Sequence, residues 1–179
     1  MKSVSIFHFI GDLVREKNIS CILIGGFAVN YYKVSRQTAD VDFLITSEDF
    51  EKIEDSLIKN GYEKVLKQEA FVQFKSIKSS MMDVDFMLVD RDTFTQFMKD
   101  ANEFNIVGET FKLPSLYHLI ALKLHSIKYN FKNRLVKDLP DIINLIRINN
   151  IDIAENKFKT MCLKYGTNEI YNRILEVVK

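Results

Sequence analysis

The sequence predicts an α/β (α+β) fold in which helices flank a mixed β-sheet and a C-terminal helical lobe follows. Three observations lead to this prediction. Short apolar runs alternate with segments of helical spacing over residues 1–113, and every segment after Pro114 has helical spacing alone. The chain of 179 residues is 47% hydrophobic and 27% charged, which is the balance of an ordinary globular protein. We therefore expect a core over residues 1–113 and a helical lobe over residues 114–179 that packs on it.

The first half of the predicted core contains two buried strands, separated by a glycine turn and a short helix. The first strand ends at Gly25-Gly26, and the second ends just before Ser47, which we predict to be the N-cap of the next helix. That helix ends at Gly61. In chain order, the predicted elements are a helix from Ile6, a strand over 19–24, a helix over 27–32, a strand over 41–45 and a helix over 50–58.

The rest of the chain is predicted to complete the sheet and then to become wholly helical. Residues 63–77 alternate loosely, which predicts two strands around a turn near Gln68. In chain order, the elements after this hairpin are a strand over 82–89, a helix over 93–102, an edge strand over 106–113, and helices over 115–129, 139–148, 153–165 and 168–178.

Neither a membrane span nor a secretory signal is predicted. No apolar run approaches the roughly 20 residues that cross a bilayer. Asp12, Arg15 and Glu16 interrupt the apolar N-terminal segment, unlike the residues of a secretory signal. We therefore expect a cytoplasmic protein without a membrane partner.

Charge is distributed unevenly along the chain, although the net charge is only +1. Residues 1–111 contain 13 Lys/Arg against 18 Asp/Glu, whereas residues 112–179 contain 12 against 6. Within residues 112–137 six cations occur before any acid, and such a segment either attracts phosphates or forms a solvated basic face. These cations, called the basic segment below, are Lys112, Lys123, Lys128, Lys132, Arg134 and Lys137.

Two pairs of aspartates lie on predicted strands. Asp40 and Asp42 are two residues apart at the start of one strand, so both project from the same face. Asp83 and Asp85 repeat this spacing on another strand. Like charges on apolar strands are costly unless a cation neutralises them, and Mg²⁺ prefers oxygen ligands. The pattern therefore favours a magnesium site; the alternative is that one aspartate of each pair ends a strand and faces water.

The Gly25-Gly26 pair joins a predicted strand to a predicted helix. Glycine lets the backbone approach a ligand closely, and the free N–H groups at the start of a helix bind phosphate. The alternative is a tight turn chosen for its backbone conformation only. Only a short helix and a loop separate these glycines from Asp40 and Asp42, so both motifs can meet at one end of the sheet.

The string IGGFAVNYYKVSRQTADVDFLI resembles the signature of the polymerase-beta-type nucleotidyltransferase superfamily. That signature is an apolar strand, GG or GS, a helix, and then D-x-D entering the next strand. The later string MDVDFMLV resembles the strand that carries the third carboxylate of the superfamily. The R-x-T-x-D-x-D form, in which Arg36 and Thr38 precede Asp40 and Asp42, is closer to the branch that includes AbiEii-type abortive-infection toxins.

The branch resemblance extends into the C-terminal lobe, and in total it covers roughly residues 20–147. In that lobe a helical lysine is followed by an R-x-x-K-D-x-x-D element. The two acids are also explained without catalysis, because Asp138 fits the N-cap of the next predicted helix and Asp141 fits its first turn. The residues that carry this part of the resemblance are Lys123, Arg134, Lys137, Asp138 and Asp141.

The resemblance implies a nucleotidyltransferase-like fold with its catalytic core in residues 1–113. In the implied reaction, a hydroxyl or phosphate attacks the α-phosphorus of a nucleoside triphosphate and expels pyrophosphate. Asp40, Asp42 and Asp85 are the implied catalytic residues and metal ligands, with two Mg²⁺ ions expected and Mn²⁺ as an alternative. Asp83 shares the face of Asp85 and is the alternative third ligand.

The resemblance also implies nucleotide contacts, with ATP as one candidate substrate. Gly25 and Gly26 are expected to contact the triphosphate. Lys123 lies in the apolar stripe of its helix, where it either reaches a triphosphate or is paired internally. Lys137 is a similar candidate, and Arg36 either touches phosphate or anchors the loop before the carboxylates to an acid.

The sequence is compatible with three functions. Transfer to a macromolecule such as tRNA or a protein, in a toxin or defence setting with an antitoxin partner, follows from the branch resemblance and agrees with the basic segment. Transfer to a small hydroxylated molecule such as an antibiotic requires an enclosed acceptor pocket instead. A non-catalytic nucleotide-binding module is disfavoured, because all the carboxylates expected of an active site are present.

Overall fold

Contacts between Cα atoms divide the chain into two compact units. The computed structural model describes residues 5–178, so the ends of the predicted domains, residues 1–4 and 179, lie outside the described residues. The sequence predicted one boundary near Pro114, whereas a segment before the D-x-D motif also groups with the C-terminal helices. The described part of the sheet unit comprises residues 5–28 and 37–115, and that of the helical unit comprises residues 29–36 and 116–178.

The sheet unit is built on a mixed sheet, which has seven strands within the described residues. In chain order they are β1 (Cys21–Leu23), β2 (Asp40–Thr46), β3 (Tyr62–Gln68), β4 (Phe71–Ser76), β5 (Asp83–Val89), β6 (Asn102–Ile106) and β7 (Glu109–Leu113). Their order across the sheet is β3-β4-β5-β2-β1-β7-β6. The pairs β2/β5 and β1/β7 are parallel, and the other neighbours are antiparallel. The predicted α/β fold with a mixed sheet is therefore confirmed.

Three helices and the start of a fourth belong to the described part of the sheet unit. They are α1 (Ile6–Lys17), the first residues of α2 (Gly25–Tyr31), α3 (Ser47–Lys59) and α4 (Arg91–Lys99). α1 contacts β7, α3 contacts β2, β3 and β5, and α4 contacts β2. The N-cap of α3 is Thr46 and not the predicted Ser47, because the Thr46 hydroxyl accepts a hydrogen bond from the Asp49 N–H at 3.2 Å.

Aromatic side chains fill the core between the sheet and α3. Phe43 and Phe86 are cross-strand partners on β2 and β5, with ring centroids 6.0 Å apart, and the ring of Phe50 lies 5.3 Å from that of Phe86. Successive residues of a strand face opposite sides of a sheet. Asp42 and Asp85, the chain neighbours of Phe43 and Phe86, therefore project from the other face. The aromatic core thus supports the strand pair that carries the aspartates.

The last part of the sheet is a hairpin and not the single edge strand predicted over residues 106–113. β6 and β7 are joined by Val107 and Gly108, whose φ values are 46° and 85°. Two-residue turns of type I′ need positive φ at both positions. Valine seldom adopts such a conformation, so the sequence did not indicate the turn. As a result β7 lies beside β1, and β6 forms the edge.

The helical unit contains four further helices within the described residues. They are α5 (Leu116–Tyr129), α6 (Phe131–Ile148), α7 (Asn156–Tyr165) and α8 (Asn168–Val178). α5 packs against α6 and α7, and α8 packs against the same two helices. The fully buried side chains of Ile120, Leu124, Leu145 and Phe158 contribute to its core. Across residues 5–178, none of the helices combines the length and the apolar character that a membrane span requires.

Helix α6 begins at Phe131 and not at the predicted residue 139, and Pro140 lies inside it. A proline inside a helix removes a backbone hydrogen bond and costs about 3 kcal/mol, which is why it indicated a helix start. Asp138 is therefore not an N-cap, and Asp141 is not in the first turn; both interpretations were wrong. The two acids are buried within the helix and pair with Lys123, a tertiary interaction that opposes the cost of the proline.

Candidate active site

Three aspartates, called the triad below, converge on one face of the sheet unit. Asp40 and Asp42 lie on β2, and Asp85 lies on β5. Each offers one carboxylate oxygen, and these three oxygens lie within 4.8 Å of one another. Asp85 is 7% exposed, whereas Asp40 and Asp42 are half-buried. Negative charges at this spacing repel one another unless a cation lies among them.

The parallel pairing of β2 with β5 produces this convergence. In the register, Asp42 is opposite Asp85 and Asp40 is opposite Asp83. Asp83 lines the neighbouring pocket, and its Oδ1 accepts a hydrogen bond from the main-chain N–H of Ser76 at 2.9 Å. Asp85 is the member of the pair that joins the other two carboxylates. The choice of Asp85 over Asp83 as a metal ligand agrees with this arrangement and stays a prediction.

The glycine turn at the start of α2 packs closely against Asp42 of the triad. The Ile24 N–H donates to the Asp42 main-chain carbonyl at 2.8 Å, which ties the turn to β2. Gly25 has a φ of +61°, and a Cβ there would lie 1.9 Å from Asp42 Oδ2. A Cβ on Gly26 would lie 2.6 Å from the Cβ of Thr38. Both positions thus exclude a side chain, and their contact with a triphosphate stays a prediction.

Thr38 is the residue of the R-x-T-x-D-x-D motif that holds Asp40. Its hydroxyl oxygen lies 3.0 Å from the Asp40 main-chain carbonyl and 3.0 Å from Asp40 Oδ1. A hydroxyl donor beside a carboxylate restricts its rotation. The motif included Thr38, but its role depends on a contact that spacing alone does not reveal.

A pocket of about 90 Å³ opens beside the triad. Gln73 of β4 is opposite Asp85 in the antiparallel register, and its Nε2 donates to Asp85 Oδ2 at 2.9 Å. The sequence alone did not indicate Gln73, because a polar residue in a hairpin strand is ordinary and only the register shows which face it shares. The pocket is lined by Asp40, Val65, Gln73, Phe74, Lys75, Asp83 and Asp85.

The chemistry of the triad fits a hard divalent cation. Carboxylate oxygens are the ligands that Mg²⁺ and Mn²⁺ prefer, whereas zinc is usually bound by thiolate or imidazole groups. The close approach of three ionisable carboxylates is costly without such an ion. Asp40, Asp42 and Asp85 are therefore the residues that would hold the metal.

A second group of charged residues is buried in the helical unit. Lys123 Nζ lies 2.9 Å from Asp138 Oδ1 and 2.6 Å from Asp141 Oδ2, and Arg36 also pairs with Asp141 Oδ2. Lys123 is 6% exposed. It therefore has the internally paired arrangement that the sequence left open, and Arg36 has the anchoring one. The nucleotide contacts of these two residues stay predictions, as does that of Lys137, which is exposed.

The basic segment is partly neutralised by acids that lie apart from it in the sequence. Lys112 Nζ is 2.9 Å from Glu103 Oε1 across the β6–β7 hairpin, and Arg134 Nη1 is 4.0 Å from Asp138 Oδ2. Together with the pairs of Lys123, these contacts give three of the six cations an acidic partner. The other cations of the segment, Lys128, Lys132 and Lys137, are exposed.

Solved structures share this fold at low sequence identity. ANT(2")-Ia in complex with adenylyl-2"-tobramycin is 15% identical, with 89% of this chain and 94% of that chain covered and a TM-score of 0.63. The lincosamide antibiotic adenylyltransferase LnuA, with lincomycin bound, is 17% identical, with coverage of 78% and 94% and a TM-score of 0.55. An antigenic nucleotidyltransferase-like protein from Paracoccidioides brasiliensis is 17% identical, with coverage of 94% and 89% and a TM-score of 0.55. Curated proteins gave no sequence match.

A family comparison covers almost the whole chain. The model of the family described as "Uncharacterised nucleotidyltransferase" matches residues 5–179. This range includes the glycine turn and all three aspartates of the triad. The chain therefore belongs to this nucleotidyltransferase family and is an enzyme.

Proposed function

We propose that this enzyme transfers a nucleoside monophosphate from a nucleoside triphosphate to an acceptor and releases pyrophosphate. The observation that carries the proposal is the triad, whose three carboxylate oxygens lie within 4.8 Å of one another. An acceptor hydroxyl or phosphate oxygen forms a bond to the α-phosphorus. The bond from that phosphorus to the oxygen bridging the β-phosphate breaks, and its electrons leave with pyrophosphate. A hydroxyl acceptor also loses its proton to a base.

The three aspartates would divide this work. Asp40 and Asp42 would hold magnesium, for which we expect two ions. Bound magnesium supplies positive charge that offsets the triphosphate and the charge that develops at phosphorus. Asp85 would complete the site on the acceptor side and would take the proton of a hydroxyl acceptor. Its pairing with Asp42 across β2 and β5 supports this assignment.

We expect ATP as the donor nucleotide and the cytoplasm as the place of reaction. The names of two similar structures refer to adenylyl transfer, which supports ATP. The bare backbone at Gly25 and Gly26 would allow a triphosphate to approach closely. Lys137 is exposed and would bind phosphate directly. Lys123 and Arg36 would first have to exchange a carboxylate partner for phosphate.

A macromolecular acceptor, tRNA or a protein, is our first candidate. The exposed lysines Lys128, Lys132 and Lys137 support it, because exposed cations attract the phosphates of RNA. The AbiEii-type branch adds a toxin setting and an antitoxin partner. That setting predicts that expression of the wild type arrests growth and that expression of Asp42→Ala does not. It also predicts that an antitoxin encoded by a neighbouring gene relieves the arrest.

A small hydroxylated molecule such as an antibiotic is the second candidate. Two of the similar structures are named for antibiotic-modifying transfer or its product, which supports this acceptor class. The pocket beside the triad also offers polar groups, among them Gln73, Lys75 and Asp83, although its volume of about 90 Å³ would hold only the reacting end of such a molecule.

The test is incubation of the purified protein with Mg²⁺ and each of four α-³²P-labelled nucleoside triphosphates. Separate reactions contain total tRNA, a cell lysate, aminoglycoside and lincosamide antibiotics, or the protein alone. Asp42→Ala is the inactive variant, and Asp55→Ala, which removes an exposed acid of α3, is the matched control. Label that depends on Asp42 but not on Asp55 supports transfer and identifies the acceptor class. Tight nucleotide binding without transfer in any reaction would favour a binding module and overturn the catalytic proposal.

A further inference from the structure

Gln73 of β4 contacts the triad from a neighbouring strand. It lies opposite Asp85 in the antiparallel pairing of β4 with β5, and its Nε2 donates to Asp85 Oδ2 at 2.9 Å. Gln73 is half-buried and lines the pocket beside the triad. The contact therefore belongs to the site and not to the aromatic core, which lies on the other face of β5.

This hydrogen bond is directed at the most buried carboxylate of the triad. Asp85 is 7% exposed, so water has little access to orient it or to stabilise its charge. An amide donor on the adjacent strand restricts rotation of the carboxylate group. The pleat of the sheet holds the two side chains on the same face, because they occupy directly opposed positions.

The chemical type of the donor is also informative. A lysine or arginine at this position would pair with Asp85 and repel a cation bound beside it. Glutamine donates the same hydrogen bond and carries no charge, so the full negative charge of Asp85 stays available to the metal. The residue thus orients a carboxylate without competing for it.

We propose that Gln73 is a positioning residue for nucleotide transfer, which holds the Asp85 carboxylate in the orientation that completes the metal site. This inference rests on the proposed function, since the role of Asp85 is part of it. Residues that orient metal-binding groups typically contribute about 10–100-fold to metal affinity or activity. Gln73 acts through Asp85, so its effect should appear in metal binding even without an acceptor.

Three substitutions of Gln73 separate its properties. Gln73→Leu keeps similar volume and removes the donor. Gln73→Glu keeps the shape, cannot donate when ionised, and adds a negative charge. Gln73→His restores an N–H donor, because an imidazole ring carries at least one N–H in either protonation state. Gln68→Leu is the matched control, because Gln68 is an exposed glutamine of β3 outside the pocket lining.

The experiment measures Mn²⁺ binding by electron paramagnetic resonance without nucleotide, and then kcat and the KM for nucleoside triphosphate. We expect Gln73→Leu to weaken Mn²⁺ binding and to lower kcat, each by about 10-fold or more, while KM changes much less. Gln73→Glu should bind Mn²⁺ at least as well as the wild type and still have a low kcat. Gln73→His should recover most of both losses, and Gln68→Leu should equal the wild type.

Mn²⁺ binding tests the role of Gln73, whereas transfer of label to an acceptor tests the proposed function. If Gln73→Leu binds Mn²⁺ as the wild type does, the positioning role is overturned, whatever the acceptor proves to be. If the wild type binds Mn²⁺, Gln73→Leu does not, and no nucleotide is transferred to any acceptor, the positioning role stands and the transferase proposal is overturned. Circular dichroism checks that each variant is folded. If the leucine variant is not, the isosteric Gln73→Glu decides the question: a low kcat supports the positioning role, and a kcat equal to that of the wild type overturns it.

Discussion

Gly25 leaves open the space that the Asp42 carboxylate occupies: a Cβ on Gly25 would lie 1.9 Å from Asp42 Oδ2. The same glycine has a φ of +61°, a conformation that other residues adopt only with strain. The glycine that resembles a phosphate-binding signature is thus also required by the Asp42 carboxylate of the triad. A substitution there should damage the triad before any nucleotide is considered.

We therefore predict that Gly25→Ala loses Mn²⁺ binding and transferase activity, because Asp42 must move away from the added methyl group. Gly108→Ala is the matched control, since Gly108 has a φ of +85° but nothing within 4 Å of an added Cβ. The control should cost only about 1–2 kcal/mol of stability from its left-handed conformation, with metal binding unchanged. Electron paramagnetic resonance of Mn²⁺ and urea unfolding check the two effects. Equal Mn²⁺ binding by both variants would contradict the prediction.

Because the carboxylates of the triad repel one another, we predict that a bound divalent cation raises the stability of the folded protein. Removal of divalent cations with EDTA should lower the melting temperature of the wild type, and saturation to 100 times Kd should add about 2.7 kcal/mol to the free energy of unfolding. Asp85→Asn should be more stable than the wild type in EDTA, because it removes one of three close negative charges. It should gain little from Mg²⁺ or Mn²⁺. Differential scanning calorimetry measures both effects.

The control for that experiment is Asp55→Asn, which removes one exposed acid from α3 and leaves the triad intact. This variant should respond to Mg²⁺ as the wild type does. A wild-type melting temperature that does not change between EDTA and millimolar Mn²⁺ would argue against a metal site at the triad.

The buried pairs of Lys123 predict a large loss of stability when this lysine is removed. Lys123→Met leaves Asp138 and Asp141 buried without their ammonium partner, and breaking a buried ion pair in this way costs about 3–5 kcal/mol. Lys137→Met removes an exposed cation and should change stability by less than about 0.5 kcal/mol. Urea unfolding monitored by circular dichroism measures both changes.

The same variants test the nucleotide contacts that the sequence implied. A higher KM for nucleoside triphosphate in Lys137→Met, with unchanged stability, would support a phosphate contact of Lys137. If Lys123→Met is as stable as Lys137→Met, the assignment of Lys123 to a structural pair is incorrect.

We predict that the thiols of the two cysteines react slowly in the folded protein. Burial raises the pKa of the Cys21 thiol to about 12, with a further contribution from the charge of Asp49. Burial alone raises the pKa of Cys162 to about 12. Both thiols should stay protonated and unreactive toward DTNB near pH 8, where an exposed thiol with a pKa of about 8.5 reacts readily.

The raised pKa of each thiol also makes the stability of the folded protein depend on pH. The folded state binds the thiol proton more tightly than the unfolded state, so the contribution to stability is complete below about pH 8.5 and is lost as pH rises toward 12. Cys162→Ser leaves Cys21 as a probe of the sheet unit, and Cys21→Ser leaves Cys162 as a probe of the helical unit. Rapid labelling of either variant under native conditions would contradict the prediction.

Local spacing was sufficient to predict much of the site. The i, i+2 spacing of Asp40 and Asp42 predicts one shared strand face, and the apolar run before Gly25 predicts a strand that ends in a turn. The structure has both features. Apolar patterning likewise predicted alternating strands and helices and a wholly helical C-terminal part, because individual elements depend on residues close in sequence.

Features that depend on distant residues were not predictable in this way. The contact of Gln73 with Asp85 depends on the register of β4 against β5, which one sequence does not reveal. Pro140 and its neighbour Asp138 indicated a helix start, whereas the pairing of Asp138 with Lys123 of another helix supports a longer α6. In both cases the deciding energy is tertiary, and the local signal was absent or misleading.

The parallel pairing of β2 with β5 also determines when the protein can first function. Asp42 and Asp85 are opposite one another, yet α3 and the β3–β4 hairpin are synthesised between them. A nascent chain that ends anywhere before β5 carries only two of the three carboxylates, so it cannot bind metal as the finished enzyme would. Contacts between such distant residues form late, because the intervening chain must be ordered first. Catalytic competence would therefore arise only after the greater part of the sheet has folded.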